Sequence, residues 1–238
     1  MNRTLFQPPD ISVILPCAGV GSRFGAAYPK ELHCLSPGRA VIDEALSPVA
    51  ALAAHGSRVR LIVVIGAHKT ATVAHLARYE GDFEILFTYQ RQDAGPDLSG
   101  AIISALPLCV GPTLLVLPDQ IMWGDGAEES LLRAVECLEA APTAVVATKL
   151  QDPAEISREG ALRVEHLTGG PTITRAAEKP ADPQGFNAAW VSLAVRPEHL
   201  THLVDAVDRS AVSPLIGAPA VMVEGYTNMT SPGIRRTR

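Results

Sequence analysis

Apolar residues in the first part of the chain follow two alternating patterns. Short runs rich in β-branched residues, typical of buried strands, occupy positions 11–15, 59–65, 83–89 and 113–117. Apolar residues at helical spacing occupy positions 41–54, 70–79, 97–106 and 127–140. This alternation predicts right-handed βαβ units and a parallel sheet, in which ligands bind at the carboxyl ends of the strands.

Beyond about position 150 the alternation between strands and helices weakens. A helix is expected over 198–208, and the expected strands cover 143–149, 161–166, 172–177, 187–195 and 220–224. The length of 238 residues suits one large α/β unit. We therefore expect a single domain over residues 1–238, with a mixed, mainly parallel sheet flanked by helices.

Composition and charge argue against several classes of protein. Hydrophobic residues make up 47% of the chain, which indicates a globular protein. The net charge of −5, with no basic run longer than Arg235-Arg236, argues against nucleic-acid and membrane-surface partners. No apolar stretch approaches the ~20 residues of a membrane span, and residues 1–10 lack a signal-peptide core, so a cytoplasmic protein is expected.

The four cysteines show no metal-ligand spacing and stand among apolar residues, so we expect buried thiols in a reducing compartment. They are Cys17, Cys34, Cys109 and Cys137.

The first predicted strand leads into a glycine-rich loop that could hold phosphate. Gly19, Gly21 and Gly25 lie in this loop, and its cations are Arg23 and Lys30. Glycines let backbone N–H groups close on an anion, which fixed cations can then neutralise.

Several interpretations of the loop compete. A dinucleotide-binding fingerprint, G-x-G-x-x-G, would need a glycine where Phe24 stands, since Gly25 comes one place late. A P-loop needs Gly-Lys-Ser/Thr, which the chain lacks here. An ordinary strand-to-helix turn with incidental charges would not account for the motifs that follow downstream.

The loop instead contains G-x-G-S-R, followed after a short spacer by Pro29-Lys30-Glu31. This resembles the signature of the nucleoside-triphosphate transferases, the nucleotidyltransferases that make sugar nucleotides and related activated compounds. The resemblance implies a Rossmann-like fold. It also implies that Arg23 binds the triphosphate and the departing pyrophosphate, and that Lys30 steadies the α-phosphate. The implied nucleotide-binding backbone comprises Ala18, Gly19, Gly21 and Ser22.

Two further motifs appear in the family's order. In the polar loop over 90–102, the resemblance assigns Gln92 to the nucleotide base and Gly95 to the nucleotide-binding site, although Asp97 stands where the family has a glycine. The apolar run after position 113 ends at Asp119, which is similar to the family's strand-end acid. The resemblance makes Asp119 a ligand of Mg²⁺, an ion that prefers oxygen ligands and substrate phosphates.

The last motifs belong to the implied acceptor site. Glu178-Lys179-Pro180 matches the family's E-K-P, in which the lysine contacts the acceptor phosphate. Trp190 adjoins the place where the family has a glycine against the sugar ring, so we expect a reshaped acceptor pocket with Glu178, Lys179 and Trp190 in it. The segment 226–232 resembles D-x-G-T-P, with Asn228 where sugar-nucleotide enzymes have a second metal-binding Asp.

The resemblance implies a Mg²⁺-dependent nucleotidyltransferase, with a nucleotide-binding half over 11–150 and an acceptor-binding half over 151–238. Its partners would be a nucleoside triphosphate and a small phosphorylated acceptor, first of all a sugar 1-phosphate. Two alternatives stay open. The short spacing from Arg23 to Lys30 is similar to that of cytidylyltransferases, which suggests a non-sugar phosphate or phosphonate acceptor. Asn228 together with Asp97 favours a non-catalytic nucleotide-binding relative. The sequence also leaves a homo-oligomer open.

Overall fold

A computed structural model describes residues 8–19, 28–208 and 213–228. The strands are β1 (Ile11–Pro16), β2 (Cys34–Ser36), β3 (Arg39–Ala40), β4 (Val59–Ile65), β5 (Glu84–Tyr89), β6 (Thr113–Val116), β7 (Gln120–Trp123), β8 (Thr143–Lys149), β9 (Gly160–Leu167), β10 (Gly170–Glu178), β11 (Ala188–Val195), β12 (Ala220–Val223) and β13 (Gly225–Asn228). The α-helices are α1 (Val41–Ala45), α2 (Ser47–Ala54), α3 (Thr70–Leu76), α4 (Leu98–Ala105), α5 (Ser130–Cys137), α6 (Pro153–Ile156) and α7 (His202–Val207).

Within the described residues, nine strands form one mixed sheet. Its main path runs β10-β9-β11-β6-β1-β4-β5, and β8 joins β11 to β12 beside that path. The strands β6, β1, β4 and β5 are parallel, whereas β11 runs antiparallel to β6, β8 and β9. The carboxyl ends of the four parallel strands therefore meet at one edge of the sheet.

Helices cover both faces of the parallel strands, because alternate side chains of a strand point to opposite faces. On β1, Val13 and Leu15 pack into a cluster that includes Ile42 and Leu52 from α1 and α2. Ile14 points the other way, into a cluster with residues of α4 and α7. A sheet buried on both faces explains the continuous apolar runs in the sequence.

A separate two-stranded sheet joins the end of the described chain to its middle. In this sheet β13 pairs antiparallel with β7, and Asn228 lies opposite Gln120. The pairing brings the acceptor half of the chain back to the residue that follows Asp119. Both strands have only four residues, and the sequence patterns did not predict β7 or β13.

The structure confirms the predicted fold class and shortens several of the predicted elements. The strand predicted over 59–65 is β4 in full. The strand predicted from position 113 ends at Val116, since Pro118 cannot donate a ladder hydrogen bond. The single helix predicted over 41–54 is wrong: it is two helices, and Pro48 lies in the first turn of α2 because it lacks the N–H that a continuous helix requires.

The expectation that all four cysteines are buried is wrong for one of them. Cys34 is exposed on the short strand β2, and its thiol donates to the carbonyl oxygen of Ser36 at 3.1 Å. Cys17 is buried, Cys109 and Cys137 are partly buried, and all four thiols are free. No helix within the described residues is both long enough and apolar enough to cross a membrane.

A buried ion pair fixes the segment that follows the glycine loop. The ammonium of Lys69 contacts both carboxylate oxygens of Glu31, at 2.9 and 3.2 Å, and the hydroxyl of Thr72 donates to the same carboxylate at 2.9 Å. The side chains of Lys69 and Glu31 are 2% and 1% exposed. This pair ties the residue next to Lys30 to the start of α3, across 38 positions of sequence.

Replacing Lys69 by Met should destabilise the fold strongly, because it leaves a buried carboxylate without its cation. We expect a loss of about 3–5 kcal/mol in the free energy of unfolding, measured by urea denaturation. The double substitution Glu31→Met/Lys69→Met should lose less than Lys69→Met alone, since it removes both charges.

The control for the buried pair is the exposed pair of Arg163 and Glu165, whose side chains are 41% and 44% exposed. Arg163→Met should cost only about 0–1 kcal/mol. Equal losses at Lys69 and Arg163 would show that the buried pair has no special role in stability.

Candidate active site

The residues after β1 lie beside the end of β4, at the carboxyl edge of the parallel strands. The backbone N–H of Cys17 donates to the carbonyl oxygen of Val64 at 2.8 Å, so the chain stays in register one residue beyond β1. A Cβ at Gly66 would lie 3.2 Å from the carbonyl oxygen of Ala18, which shows how closely the two loops approach. Ala18 and Gly19 thus enter the edge where ligands of parallel sheets bind.

Lys30 and Asp119 meet at this edge. The ammonium of Lys30 forms a short ion pair with the carboxylate of Asp119, and the two side chains are 30% and 12% exposed. Lys30 stands on a single 3-10 turn anchored by the buried pair of Glu31 and Lys69. Asp119 stands three residues after the end of β6, in the turn before β7. The structure therefore joins two of the predicted catalytic residues, which are 89 positions apart in sequence.

A buried thiol underlies this charged group. Cys17 is 2% exposed, and burial raises the pKa of its thiol well above the usual range. The carboxylates of Glu31 and Asp119 raise this pKa further, whereas the ammonium groups of Lys69 and Lys30 lower it. Cys17, the first residue after β1, therefore lies near the charges of both Lys30 and Asp119.

The loop assigned to the nucleotide base is held by Gln90. Its side-chain amide donates to the carbonyl oxygens of Gly95 and Asp97, at 2.7 and 2.9 Å. Asp97 caps α4 by accepting the backbone N–H of Gly100 at 3.0 Å, as its predicted place at the helix start requires. The predicted base contact, Gln92, lies exposed on a 3-10 turn.

Two glycines allow this loop to pack tightly. Gly95 has a φ of +92°, a conformation that other residues rarely adopt. A Cβ at Gly100 would lie 2.2 Å from the carbonyl oxygen of Gly95, so the first turn of α4 can touch the loop only because Gly100 has no side chain.

On the acceptor side, Glu178 is the last residue of β10 and Lys179 follows it. The ammonium of Lys179 pairs with Oε1 of Glu178 at 2.9 Å, while Oε2 of Glu178 is buried without a hydrogen-bond partner among the described residues. Lys179 has a φ of +47°, and its backbone N–H donates to the carbonyl oxygen of Glu159 at 3.0 Å. This strained residue turns the chain sharply at the end of the strand.

Trp190 is buried against the backbone of Gly160. Trp190 belongs to the strand β11, and the residue is 6% exposed. A Cβ at Gly160 would lie 1.6 Å from the indole Nε1, so only glycine fits beneath the ring. The indole N–H has no partner among the described residues. The role of Trp190 in the acceptor pocket stays a prediction, and its described contacts are those of a packed core residue.

A carboxylate that the sequence patterns did not single out lies between the acceptor motif and Asn228. Burial raises the pKa of the Glu159 carboxyl, and the neighbouring Tyr226 hydroxyl, the Lys179 ammonium and the side chain of Asn228 oppose that rise. The nearby charge of Glu178 adds to it. Burial also raises the pKa of the Tyr226 phenol, to which the negative charge of Glu159 adds.

The residues present fit a magnesium ion in their donor chemistry. Asp119 offers a carboxylate, and Asn228 offers an amide oxygen that is buried without a hydrogen-bond partner in the described part of the chain. Pairing of β13 with β7 places Asn228 opposite Gln120, next to Asp119 in sequence. Magnesium is commonly held by one or two such oxygen ligands, with substrate phosphates and water completing its shell. Within the described residues no group of three or more His, Cys, Asp or Glu side chains is arranged for a metal.

Part of the predicted nucleotide site is not among the residues that the structure describes. Gly21, Ser22 and Arg23 lie outside the described residues, as do Ser231 and Pro232 of the last motif. Ala18, Gly19, Lys30 and Asp119 share the carboxyl edge, while the remaining predicted contacts are distributed over the loop before α4 and the ends of β10, β11 and β13. Glu159 had no signal in the sequence beyond its place before Gly160, because an isolated glutamate carries no pattern.

Comparisons with known proteins bear on the family and the fold of the chain. A family model described as nucleotidyl transferase matches residues 25–197. The bifunctional protein GlmU of Polaromonas sp. (strain JS666 / ATCC BAA-500) is 36% identical over 117 residues, which are 46% of this chain and 23% of that protein. The chain therefore spans less than a quarter of the length of this relative.

Solved structures share the fold. A UDP-glucose pyrophosphorylase complexed with UDP-glucose superposes with a TM-score of 0.71 at 18% identity, covering 93% of this chain and 94% of that one. The UTP-bound UGPase from Acinetobacter baumannii superposes with a TM-score of 0.68 at 16% identity, covering 93% and 89%. At these identities the likeness concerns the fold.

Gly160→Ala should disturb the packing of Trp190. Because the added methyl group would overlap the indole, we expect a loss of about 1–3 kcal/mol in the free energy of unfolding, measured by urea denaturation. In a Trp190→Val background, which removes all the overlapping ring atoms, the same substitution should cost clearly less.

Gly169→Ala is the matched control, since a Cβ there meets no atom within 4 Å. It should change stability by no more than about 0.5 kcal/mol. If Gly160→Ala were equally mild in the Trp190 protein, the described packing of the indole would be incorrect.

Proposed function

The chain belongs to the nucleotidyl transferase family, and from that premise we propose that it transfers a nucleoside monophosphate from a nucleoside triphosphate to a phosphorylated acceptor. The proposed acceptor is a sugar 1-phosphate, and pyrophosphate is the second product. Support for a sugar comes from the UDP-glucose pyrophosphorylases that share the fold, and from the acceptor motif at Glu178 and Lys179.

The observation that carries the proposal is the meeting of Lys30 and Asp119 at the carboxyl edge of the parallel strands. A lysine stabilises phosphate charge, and a strand-end carboxylate is a suitable ligand for the metal that accompanies a triphosphate. Their position next to Ala18 and Gly19 puts both groups beside the loop that would hold the phosphates. An ion pair that only stabilised the fold would not need to lie at this edge of the sheet.

In the proposed reaction, a phosphate oxygen of the acceptor attacks the α-phosphorus of the nucleoside triphosphate. A new P–O bond forms as the bond from the α-phosphorus to the bridging oxygen of the β-phosphate breaks, and pyrophosphate leaves with that oxygen. No proton need be taken from the attacking phosphate oxygen, which is already ionised. The protein therefore contributes mainly positioning and charge stabilisation.

Each named residue has a role in this scheme. Lys30 would stabilise the negative charge that builds on the α-phosphate. Lys179 would bind the acceptor phosphate, exchanging its contact with Glu178 for the substrate. Asp119 and Asn228 would hold a magnesium ion, and when bound this ion would supply charge neutralisation on the phosphates.

The carboxylates near the acceptor motif favour a hydroxyl-bearing acceptor. Once Lys179 turns to a phosphate, the carboxylate of Glu178 is left without its ammonium, and its Oε2 already lacks a partner among the described residues. A buried carboxylate oxygen needs a hydrogen-bond donor, and the hydroxyl groups of a sugar supply such donors. This favours a sugar phosphate over a small phosphonate without hydroxyl groups.

The test is pyrophosphate release with Mg²⁺ across the common nucleoside triphosphates, each paired with a panel of acceptors. The panel contains hexose 1-phosphates, N-acetylhexosamine 1-phosphates and small non-sugar phosphates and phosphonates. We expect release with a sugar 1-phosphate. Lys30→Met should lower kcat by about 10²–10³-fold, the usual effect of removing a group that stabilises transition-state charge, and Asp119→Asn should abolish most Mg²⁺-dependent release.

The controls are Arg163→Met and Glu165→Gln, which remove the same charges from an exposed ion pair on β9. They should keep the activity of the parent protein. Release that requires a non-sugar acceptor would identify the cytidylyltransferase-type alternative. Tight triphosphate binding without release from any acceptor would contradict the proposed reaction and favour the non-catalytic alternative.

A further inference from the structure

The turn that carries Lys30 is too short to fix its own position. It is a single 3-10 turn over Lys30–Leu32, closed where the backbone N–H of His33 donates to the carbonyl oxygen of Lys30 at 3.1 Å. Such short turns have poor hydrogen-bond geometry and depend on their surroundings. Glu31 is the buried residue of this turn. The place of the Lys30 ammonium therefore depends on what holds Glu31.

Three hydrogen bonds from the start of α3 hold the carboxylate of Glu31. Two come from the ammonium of Lys69, at 2.9 and 3.2 Å, and one comes from the hydroxyl of Thr72, at 2.9 Å. Lys69 and Thr72 are 2% and 0% exposed, so water does not compete for these contacts. Hydrogen bonds are directional, whereas apolar contacts are not. This arrangement therefore fixes the place of Glu31 more narrowly than apolar packing would.

The turn before α3, residues 66–69, also touches the loop that follows β1. The backbone N–H of Lys69 donates to the carbonyl oxygen of Gly66 at 3.0 Å, which closes the turn. At its other end, a Cβ at Gly66 would lie 3.2 Å from the carbonyl oxygen of Ala18. One short turn thus contacts the loop after β1 through Gly66 and the Lys30 turn through Lys69.

We propose that Lys69 is a positioning residue for nucleotidyl transfer: through Glu31 it sets where the Lys30 ammonium lies relative to the loop after β1. The inference rests on the proposed function, in which Lys30 stabilises the α-phosphate. None of the sequence motifs includes Lys69. When a triphosphate draws Lys30 away from Asp119, the contacts of Glu31 remain to hold the turn in place.

A role in stability alone does not explain the buried pair. Burying two charges costs desolvation free energy, and well-packed apolar residues of similar volume are often as stabilising. Catalysis sets a stricter demand, because a displacement of about 1 Å near the reacting groups can cost about 100-fold in rate. The directional contacts to Glu31 meet that demand at Lys30.

The first test is the double substitution Glu31→Met/Lys69→Met, assayed by pyrophosphate release and by urea denaturation. Removal of both charges leaves no unpaired charge in the interior, so the variant should fold, but Lys30 loses its directional hold. We expect kcat to fall about 10–100-fold, with the KM for the acceptor unchanged. If the folded double variant keeps the kcat of the parent, the pair serves stability alone and the inference is wrong.

A double-mutant cycle with Lys30→Met tests whether the pair acts through Lys30. A positioning residue affects the rate only through the group that it positions, so the effects of the two changes should not multiply. Glu31→Met/Lys69→Met should therefore have little further effect on kcat in the Lys30→Met background. A full additional loss there would show that the pair acts elsewhere and would overturn the inference.

Thr72→Val is a milder variant that keeps both charges and nearly the same shape. It removes one donor to Glu31, so kcat should fall by a smaller factor than in the double variant. The matched control is Thr143→Val. Thr143 is also buried, its hydroxyl contacts Nδ1 of His202 at 2.8 Å, and it begins β8 at the opposite edge of the sheet. That variant should keep the kcat of the parent, and equal losses in the two threonine variants would contradict the inference.

Labelling of Lys30 by an amine-reactive ester, measured site by site by mass spectrometry, tests the positioning without any turnover. In the parent protein the Lys30 ammonium pairs with Asp119, so it should react slowly. Glu31→Met/Lys69→Met should raise the labelling rate at Lys30. The control Arg163→Met, in the exposed pair, should not raise it.

The labelling also separates failure of the inference from failure of the proposed function. An unchanged labelling rate in the double variant would overturn the inference whatever the activity. A raised rate in a protein that releases no pyrophosphate from any substrate pair would contradict the proposed function, while the positioning of Lys30 by Lys69 would stand.

Discussion

The enclosure of β1 is the constraint on which the rest of the site depends. This strand lies between β4 and β6 in the sheet, and helices cover both of its faces. Residues 11–15 are all buried. The chain emerges from the sheet after Pro16, at the carboxyl end of the strand. Phosphate chemistry needs charged and polar groups near water, and the carboxyl end of β1 provides them at Lys30 and Asp119.

The same constraint explains why distant residues converge. Parallel pairing forces β1, β4 and β6 to end at one edge, and each end is followed by a turn rather than by more strand. Lys30 reaches that edge because Glu31 is anchored in the protein interior by Lys69. Asp119 reaches it because Pro118 ends the ladder of β6. The residues of the site thus come from the turns that follow the strands, and the strands and helices hold these turns in place.

Secondary structure with a repeating residue pattern could be predicted from the sequence, whereas single contacts between distant residues could not. β4 could be predicted residue by residue from seven consecutive positions, and the cap at Asp97 followed from the chemistry of helix starts. The strands β7 and β13 could not be predicted, since each has four residues and exists through pairing with a partner about a hundred positions away. Likewise Glu31 and Lys69 look like surface charges in sequence, and only the fold reveals that they neutralise each other in the interior.

Charge pairing in the substrate-free protein has a consequence for how phosphates bind. Both lysines assigned to phosphates already contact carboxylates: Lys30 contacts Asp119, and Lys179 contacts Glu178. A phosphate must therefore displace a carboxylate from each lysine, which weakens the binding of any single anion. A divalent cation bound at Asp119, as proposed, would reverse this penalty, because it would take the carboxylate as a ligand and free Lys30 for the triphosphate. Metal and triphosphate should therefore bind more tightly together than separately, as a direct result of the ion pair at the end of β6.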